Sequence, residues 1–493
     1  MEALAKTMQG EKSQFMNMFR SHSVRFNFAM NLILKCSSAL LSVVSYSFAF
    51  QALGTEGAGK VAFSNSVASL FTMVAALGIP TYGIRECARV RDQRERLSGT
   101  VWALLKLQIR MTGVTAFALF VTVLCVPRFQ QETCLFMVQG CVLLVSGLNL
   151  EWMYEGLEQY AYITFRSVLT KVLGVLLILL LIRNPSDYRT YAALLALDVV
   201  LHTLINLFFA GRFITWRSAK EASRKKHGKL VLTFFAQTAA ITVYTSLDSA
   251  MLGFLQNDDC VGIYDAAVKV KLVLSYFVTS LSAVLLPRLS YYVSTRREEK
   301  FRRELSGSLE FLLIAGMCIA VFTLLAAPEI IEFLFRGAYV SSAGVLRVLA
   351  LAIPLIGMSS LVGQQILVPT DKEEVAMYAY LAGAVTDVIL DALLIPRFEA
   401  VGAAVGTLIA EVVVLIVQIA AAHETVVPSI KHSKIGSAVA TAAISGAGLW
   451  AVRRAVHVSV FKQLVLDGVV YFGLVACVLV VAKRSLIMQW IRK

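Results

Sequence analysis

The stretch LSVVSYSFAFQALGTEGAGKVAFSNSVASLFTMVAALGIP, residues 41–80, decides how the rest of the chain is read. Two apolar runs flank a short turn that reads Leu-Gly, polar residues, then Gly, and the second run stops at Pro80 before a cluster of arginines. A membrane-spanning helix needs about 20 mostly apolar residues, because its backbone N–H and C=O groups find no water in hydrocarbon and must bond within the helix. Similar runs recur outward from this one at about 24–50, 58–84, 99–126, 133–155, 160–182, 190–211, 230–255, 262–290, 306–327, 343–368, 374–395, 400–423, 435–457 and 463–482. The chain is 58% hydrophobic and 16% charged, with a mean hydropathy of +0.71, more apolar than a soluble core could hide. The expected fold is therefore all-α and polytopic, with about fourteen transmembrane helices. The opening MEALAKTMQGEKSQFMNMFR is polar and holds no cleavable signal, so the first span is expected to be an anchor.

Lys and Arg collect in alternate short loops, which the cytoplasmic side retains. Arg85, Arg89, Arg91, Arg94 and Arg96 follow span two, Arg212 to Lys229 follow span six, and Arg288 to Arg303 follow span eight. The intervening turn QNDDCVG, residues 256–262, holds none. Both termini are expected in the cytoplasm. The net charge of +14 then belongs to topology and anionic lipid, with no nucleic acid implied. The eight Cys show no paired motif, so neither a metal site nor a disulfide framework is supported. No phosphate-binding loop or long soluble domain appears, and no Ser-His-Asp order or zinc-like His and Glu spacing points to catalysis.

The turn after Leu53 has a counterpart in LGFLQNDDCVGIYDAAVKV, residues 252–270. In both, the helix after the turn ends in a proline before a basic loop, Pro80 and Pro287. Two six-helix halves in one orientation are implied, a transporter arrangement with a substrate site between the halves. The expected organisation is an N-terminal segment 1–23, a six-helix bundle 24–215, a basic linker 216–229, a second bundle 230–424 and two extra helices over 435–485. Pro354 with Gly357 is expected to kink helix ten, as the one proline well inside a span.

Polar residues within the spans mark candidate sites. Asn27, Asn31, Lys35, Ser38, Ser42 and Ser45 step by three or four along one face of span one. A cation near mid-span costs about 2.5–3.5 kcal/mol on insertion scales, so Lys35 should face a watery cavity or a paired carboxylate. Lys171 and Arg166 enter from the basic side of span five, with Arg166 read as either a site residue or a snorkelling anchor. Spans seven and eight offer Asp248, Asp265 and Lys269; Lys271 lies on the opposite side of its helix from Lys269, and one of the two lysines is expected to pair with Asp265 or Asp248 or to snorkel. A second set is titratable: Asp198 and His202 in span six, Asp387 and Asp391 in span eleven, and Glu411 in span twelve. It reads either as a structural network or as an ion-coupling site.

The segments 53–67, 77–98, 151–163, 246–270, 282–290 and 395–411 together resemble the polysaccharide-transporter family, the Wzx-type flippases of the larger group that also holds MATE exporters and the lipid II flippase MurJ. The resemblance covers most of the chain up to Glu411. It implies two bundles around a central cavity, alternating access, and export of an undecaprenyl-diphosphate-linked oligosaccharide for O-antigen, capsule or exopolysaccharide across a bacterial inner membrane. Lys35, Lys171, Lys269, Arg166, Asn31 and Asp248 are then the expected substrate-binding residues, and Asp198, His202, Asp387, Asp391 and Glu411 the expected ion-coupling residues. No cofactor is implied beyond a coupling proton or sodium ion. Expected partners are the lipid-linked oligosaccharide, membrane lipids, and a polysaccharide polymerase with other assembly proteins. The alternative is a MATE-like ion-coupled exporter of small cationic molecules, which would want an acidic cavity. A membrane glycosyltransferase would carry long loops with catalytic acids, and those are missing.

Overall fold

The computed structural model describes residues 24–215, 224–294, 298–367, 370, 372–424, 426, 428, 435–456 and 458–482. The N-terminal segment 1–23, residues 216–223 of the basic linker and the end of the chain after residue 482 lie outside them. Every regular element among the described residues is helical.

The longest element, α1 (Val24–Ala76), has 53 residues. At 1.5 Å per residue it would run about 80 Å, far beyond a hydrocarbon core of about 30 Å. It is broken at Gly54, where φ is 70° and ψ 179°, into two spans. A short amphipathic helix α2 (Ile79–Val90) follows, then α3 (Arg94–Cys125), α4 (Pro127–Gln130), α5 (Thr133–Ser146), a six-residue α6 (Glu151–Gly156), α7 (Tyr160–Leu181) and α8 (Tyr188–Ala210). The rest comprises α9 (Arg224–Leu255), α10 (Asp258–Ser294), α11 (Glu298–Phe335), α12 (Ser342–Ser360), α13 (Glu373–Ala421), α14 (Ile435–Ala455) and α15 (Val460–Ala482). The 49 residues of α13 are likewise two spans, divided at Glu399 with φ at 52°. With α1 and α13 each divided, the long helices among the described residues are roughly consistent with about fourteen spans, and nine stretches of them are long and apolar enough to cross a membrane, the two divided ones among these. Large apolar side chains such as Phe208 and Phe117, 82% and 69% exposed, face outward as lipid requires.

Two features depart from the sequence reading. Residues 85–90, expected in the basic loop after span two, belong to a separate helix that begins at Ile79: Ile79, Tyr82, Gly83 and Cys87 form its buried stripe, and Arg85 and Arg89 lie off it. Pro354 is not alone, since Pro328 lies inside α11. The backbone of Gly316 admits Pro354, whose Cα lies 2.9 Å from where a Cβ would stand, and α12 runs into a π-helical turn, Leu361–Leu367.

The chain forms two compact units, one of residues 1–53 and 64–242 and one of 54–63 and 243–493. The second takes the start of the second span because glycines let backbones meet there. A Cβ on Gly59 would stand 1.7 Å from the Asp258 carbonyl oxygen, and one on Gly262 would stand 2.0 Å from that of Thr55. The two turns matched in the sequence are thus packed on each other, each glycine against the first turn of the other helix. Thr55 Oγ1 donates to Asp259 at 2.5 Å, and the Tyr339 hydroxyl donates to the Gly54 carbonyl at 2.7 Å. In the same unit α14 and α15 pack on α11 around Cys318, Leu449 and Tyr471. All eight cysteines are free.

Candidate substrate and ion sites

In the first unit a buried network gathers at the end that carries the arginine-rich segment 85–96. The chain breaks out of helix after Ser146 and returns as α6, which packs against α2 where Gly83 meets the Trp152 ring and Gly156 meets Cys87. This brings Glu151 to Arg166 of α7, with Nη2 2.8 Å from the carboxylate, while Nη1 bonds the side-chain oxygen of Asn206. Asn206 also accepts from the Tyr162 hydroxyl at 3.1 Å and donates to Asn149 at 3.0 Å, and its carbonyl accepts from Tyr154. The guanidinium lies 5.7 Å from the Tyr162 ring centroid. Arg166 is only 2% exposed, so it does not snorkel; a carboxylate and an amide inside the unit solvate it better than a reach to the interface would.

Of the other expected substrate residues in this unit, Lys35 is exposed, and Asn31 and Lys171 are half-buried. Asp198 and His202 do meet, with Nε2 3.6 Å from the carboxylate, and the same nitrogen contacts the Thr170 hydroxyl.

The second unit holds a different constellation. Asp248 of α9 and Asp387 and Asp391 of α13 bring one carboxylate oxygen each to within 4.8 Å of one another, and all three residues are buried. Thr407 donates to Asp248 Oδ2 at 2.8 Å, and the Tyr264 hydroxyl bonds the same oxygen. Gly406 leaves the room: a Cβ there would stand 2.5 Å from Asp391 Oδ1 and 3.3 Å from Asp387 Oδ1. Two unit charges at such separations repel by roughly 3–4 kcal/mol at an effective dielectric of 20, so three carboxylates need shared protons or a bound cation to coexist. The Oδ1 atoms of all three have no hydrogen-bond partner, which fits a site for a small hard cation or for protons. Among the described residues, Lys271 is a cation whose charge acts on Asp387.

Asp248, expected among the substrate residues, therefore groups with Asp387 and Asp391. The sequence showed a four-residue step within α13 but not that α9 would lay Asp248 beside it. Lys269 pairs with Asp265 at 3.2 Å, one of the two pairings expected. Glu411 is buried in the second half of α13 but lies outside the trio. The sequence reading overlooked Thr407, Glu151 and Asn149; a Thr four residues before Glu411 carries no signal until the hairpin at Glu399 folds it toward Asp248.

These elements define a polytopic all-α membrane protein of the transporter type. The chain belongs to the polysaccharide biosynthesis protein family, whose model matches residues 24–293, and a MatE model matches residues 234–393. It is 21% identical to a putative O-antigen transporter of Escherichia coli K12 over 80% of this chain and 95% of that one. It is 24% identical to a probable low-salt glycan biosynthesis flippase, Agl15, of Haloferax volcanii over 51% of this chain and 52% of that one. Its fold is similar to that of the lipid II flippase MurJ in an inward closed conformation, with a TM-score of 0.70 at 13% identity over 93% of this chain and 99% of that one. An inward-facing multidrug resistance MATE transporter of the MOP superfamily matches with a TM-score of 0.62 at 14% identity, over 80% of this chain and 95% of that one. The resemblance read from the sequence stands.

Proposed function

We propose that this protein is a flippase that moves an undecaprenyl-diphosphate-linked oligosaccharide from the inner to the outer leaflet of a bacterial inner membrane by alternating access, and that it is a transporter rather than an enzyme. The observation that carries this reading is the division of charge between the units. Exposed Lys35 and half-buried Lys171 sit in the first unit, where a pyrophosphate needs cations, and the carboxylate trio is closed off in the second. Relatives named as an O-antigen transporter and a glycan flippase support the substrate class. The trio couples transport to a proton or sodium ion, and Asp198 with His202 is a second candidate for the proton. A MATE-like exporter of cationic molecules would also use acidic residues. Asp248, Asp387 and Asp391 are 5%, 2% and 1% exposed, room for an ion but not for a drug-sized cation.

The test is flipping in liposomes under imposed sodium or proton gradients. A fluorescent lipid-linked oligosaccharide should cross at a gradient-dependent rate, and Asp387→Asn should abolish that dependence while leaving the protein folded. Gradient-driven uptake of a cationic dye with no flipping would establish the exporter instead.

A further inference from the structure

One face of α3 carries two cations that the sites above leave unused. Trp102, Lys106, Arg110, Gly113, Phe117 and Leu124 stand at helical spacing, so they form a single stripe. The stripe is exposed from Arg110 onward, while the buried Leu104, Gln108, Thr112, Thr115 and Leu119 occupy the opposite face. Exposed Phe117 and Leu124 in a spanning helix are the mark of a face turned to lipid tails.

The stripe also sets the level of the cations. From Lys106 to Leu124 the helix rises about 27 Å, close to a hydrocarbon core of about 30 Å, so Lys106 stands at the edge of the core and Arg110 one turn inside it. That edge is the one nearer the arginine-rich segment 85–96. Helical side chains lean toward the N-terminus, here toward the headgroups, and long basic stems extend that reach. Lys106 follows this rule, with Nζ 5.9 Å from the ring centroid of Trp102 one turn before it. The indole marks the same level, since Trp collects at membrane interfaces. Beyond the edge α3 is packed in protein: Leu97, Ser98 and Val101 are buried, and Ser98 accepts from the Thr215 N–H at 2.9 Å.

Two cations a turn apart on a lipid-facing surface call for an anion. From Arg96 to Cys125 the helix holds no Asp or Glu, and among the described residues Arg110 makes no ion pair. Next to Arg110 the face is notched, because nothing lies within 4 Å of where a Cβ on Gly113 would stand. We propose that Lys106 and Arg110 bind the phosphate of an anionic phospholipid in the leaflet at the arginine-rich end, with an acyl chain lying over Gly113 toward Phe117. A zwitterionic lipid carries its own ammonium beside the phosphate and gains less from the pair. The face opens on the bulk bilayer, where phospholipid is the abundant anion, so mass action favours it over a scarce lipid diphosphate. The site does not depend on the flippase reading.

The test is native mass spectrometry of the full chain in detergent, titrated with dioleoylphosphatidylglycerol or dioleoylphosphatidylcholine. The parent should retain the phosphatidylglycerol in preference. A cation near an anionic lipid contributes about fivefold, so Lys106→Gln with Arg110→Gln should weaken phosphatidylglycerol binding about twenty-five-fold and leave phosphatidylcholine unchanged. Arg85→Gln with Arg96→Gln removes two exposed cations from the same end and should cost far less. Gly113→Phe fills the notch and should weaken both lipids. Unfolding temperatures without added lipid, read by helical circular dichroism, should stay near the parent's in every variant. Trp102 fluorescence, taken as the difference between the parent and Trp102→Phe, should be quenched by phosphatidylglycerol brominated in its acyl chains, and less so in the Lys106 and Arg110 double variant. Parent-like phosphatidylglycerol binding in that double variant overturns the proposal. An equal loss in the Arg85 and Arg96 control overturns it too, since diffuse charge would then explain the binding. Unchanged binding in Gly113→Phe refutes the acyl placement, and displacement of phosphatidylglycerol by equimolar undecaprenyl diphosphate would give the site to the carrier lipid instead.

Discussion

Replacing Gly59 by alanine should unsettle the second unit more than any other single methyl group in its helices. The added Cβ would stand 1.7 Å from the Asp258 carbonyl oxygen, 2.7 Å from its carbon and 2.9 Å from the Gly262 nitrogen. Real Cβ contacts do not fall below 3.0 Å, so going from 1.7 to 3.0 Å means a retreat of about 1.3 Å between two helices. The clash is with backbone, so no rotamer change relieves it. The retreat would also pull on the Thr55–Asp259 and Tyr339–Gly54 hydrogen bonds. Overpacking of a tight core costs typically about 1–3 kcal/mol, and a backbone contact on both sides places Gly59→Ala near the top of that range. Gly262→Ala, with its Cβ 2.0 Å from the Thr55 oxygen, should cost nearly as much. The double variant should cost less than the sum, because one retreat relieves both contacts. Gly174→Ala is the control: it lies in α7 with nothing within 4 Å and should gain about 0.5–1 kcal/mol from helix propensity. Thermal unfolding in detergent micelles, followed by the loss of helical circular dichroism, reads all four proteins. If Gly59→Ala unfolds at the same temperature as Gly174→Ala, the two turns are not in contact as described.

Three further outcomes are expected. Arg453 of α14 bonds Asp467 of α15 and lies 2.9 Å from Glu329 of α11, and Asp467 is fully buried, so Arg453→Ala should destabilise the chain by about 3–5 kcal/mol; Arg453→Met with Asp467→Leu should recover much of the loss, and equal unfolding temperatures for parent and Arg453→Ala would contradict the bond network. A reporter active only outside the cytoplasm should signal when placed in the turn at residues 256–262 and stay silent after Lys493, since Lys and Arg alternate between the loops; the reverse pattern inverts the topology. Lys35→Arg should retain much of the flipping and Lys35→Gln should lose it in a folded protein, because the site needs the charge and not the ammonium shape; a stable Lys35→Gln protein that flips at the parent rate removes Lys35 from the substrate site.

What the sequence determined by itself was the solvent, the approximate number of spans and the repetition of one turn. Each follows from local physics: a run of about 20 apolar residues has to be a helix in lipid, whatever surrounds it, and a Leu-Gly turn repeated at residues 53 and 252 is visible as a string. The amphipathic α2 was legible too, in the spacing of Ile79, Tyr82, Gly83 and Cys87, but its first half reads as the end of span two and its arginines as a loop. Only the tertiary structure decided which polar residues meet. Arg166 read as either a site residue or a snorkelling anchor until α6 turned back and set Glu151 against it. Asp248 and Asp387 are 139 residues apart, and what joins them is the hairpin at Glu399 and the missing side chain of Gly406, neither of which marks a site in one dimension. Apolar periodicity sets where each helix runs because burial in lipid acts on every residue alone, whereas a site is a coincidence of distant residues that packing alone brings about.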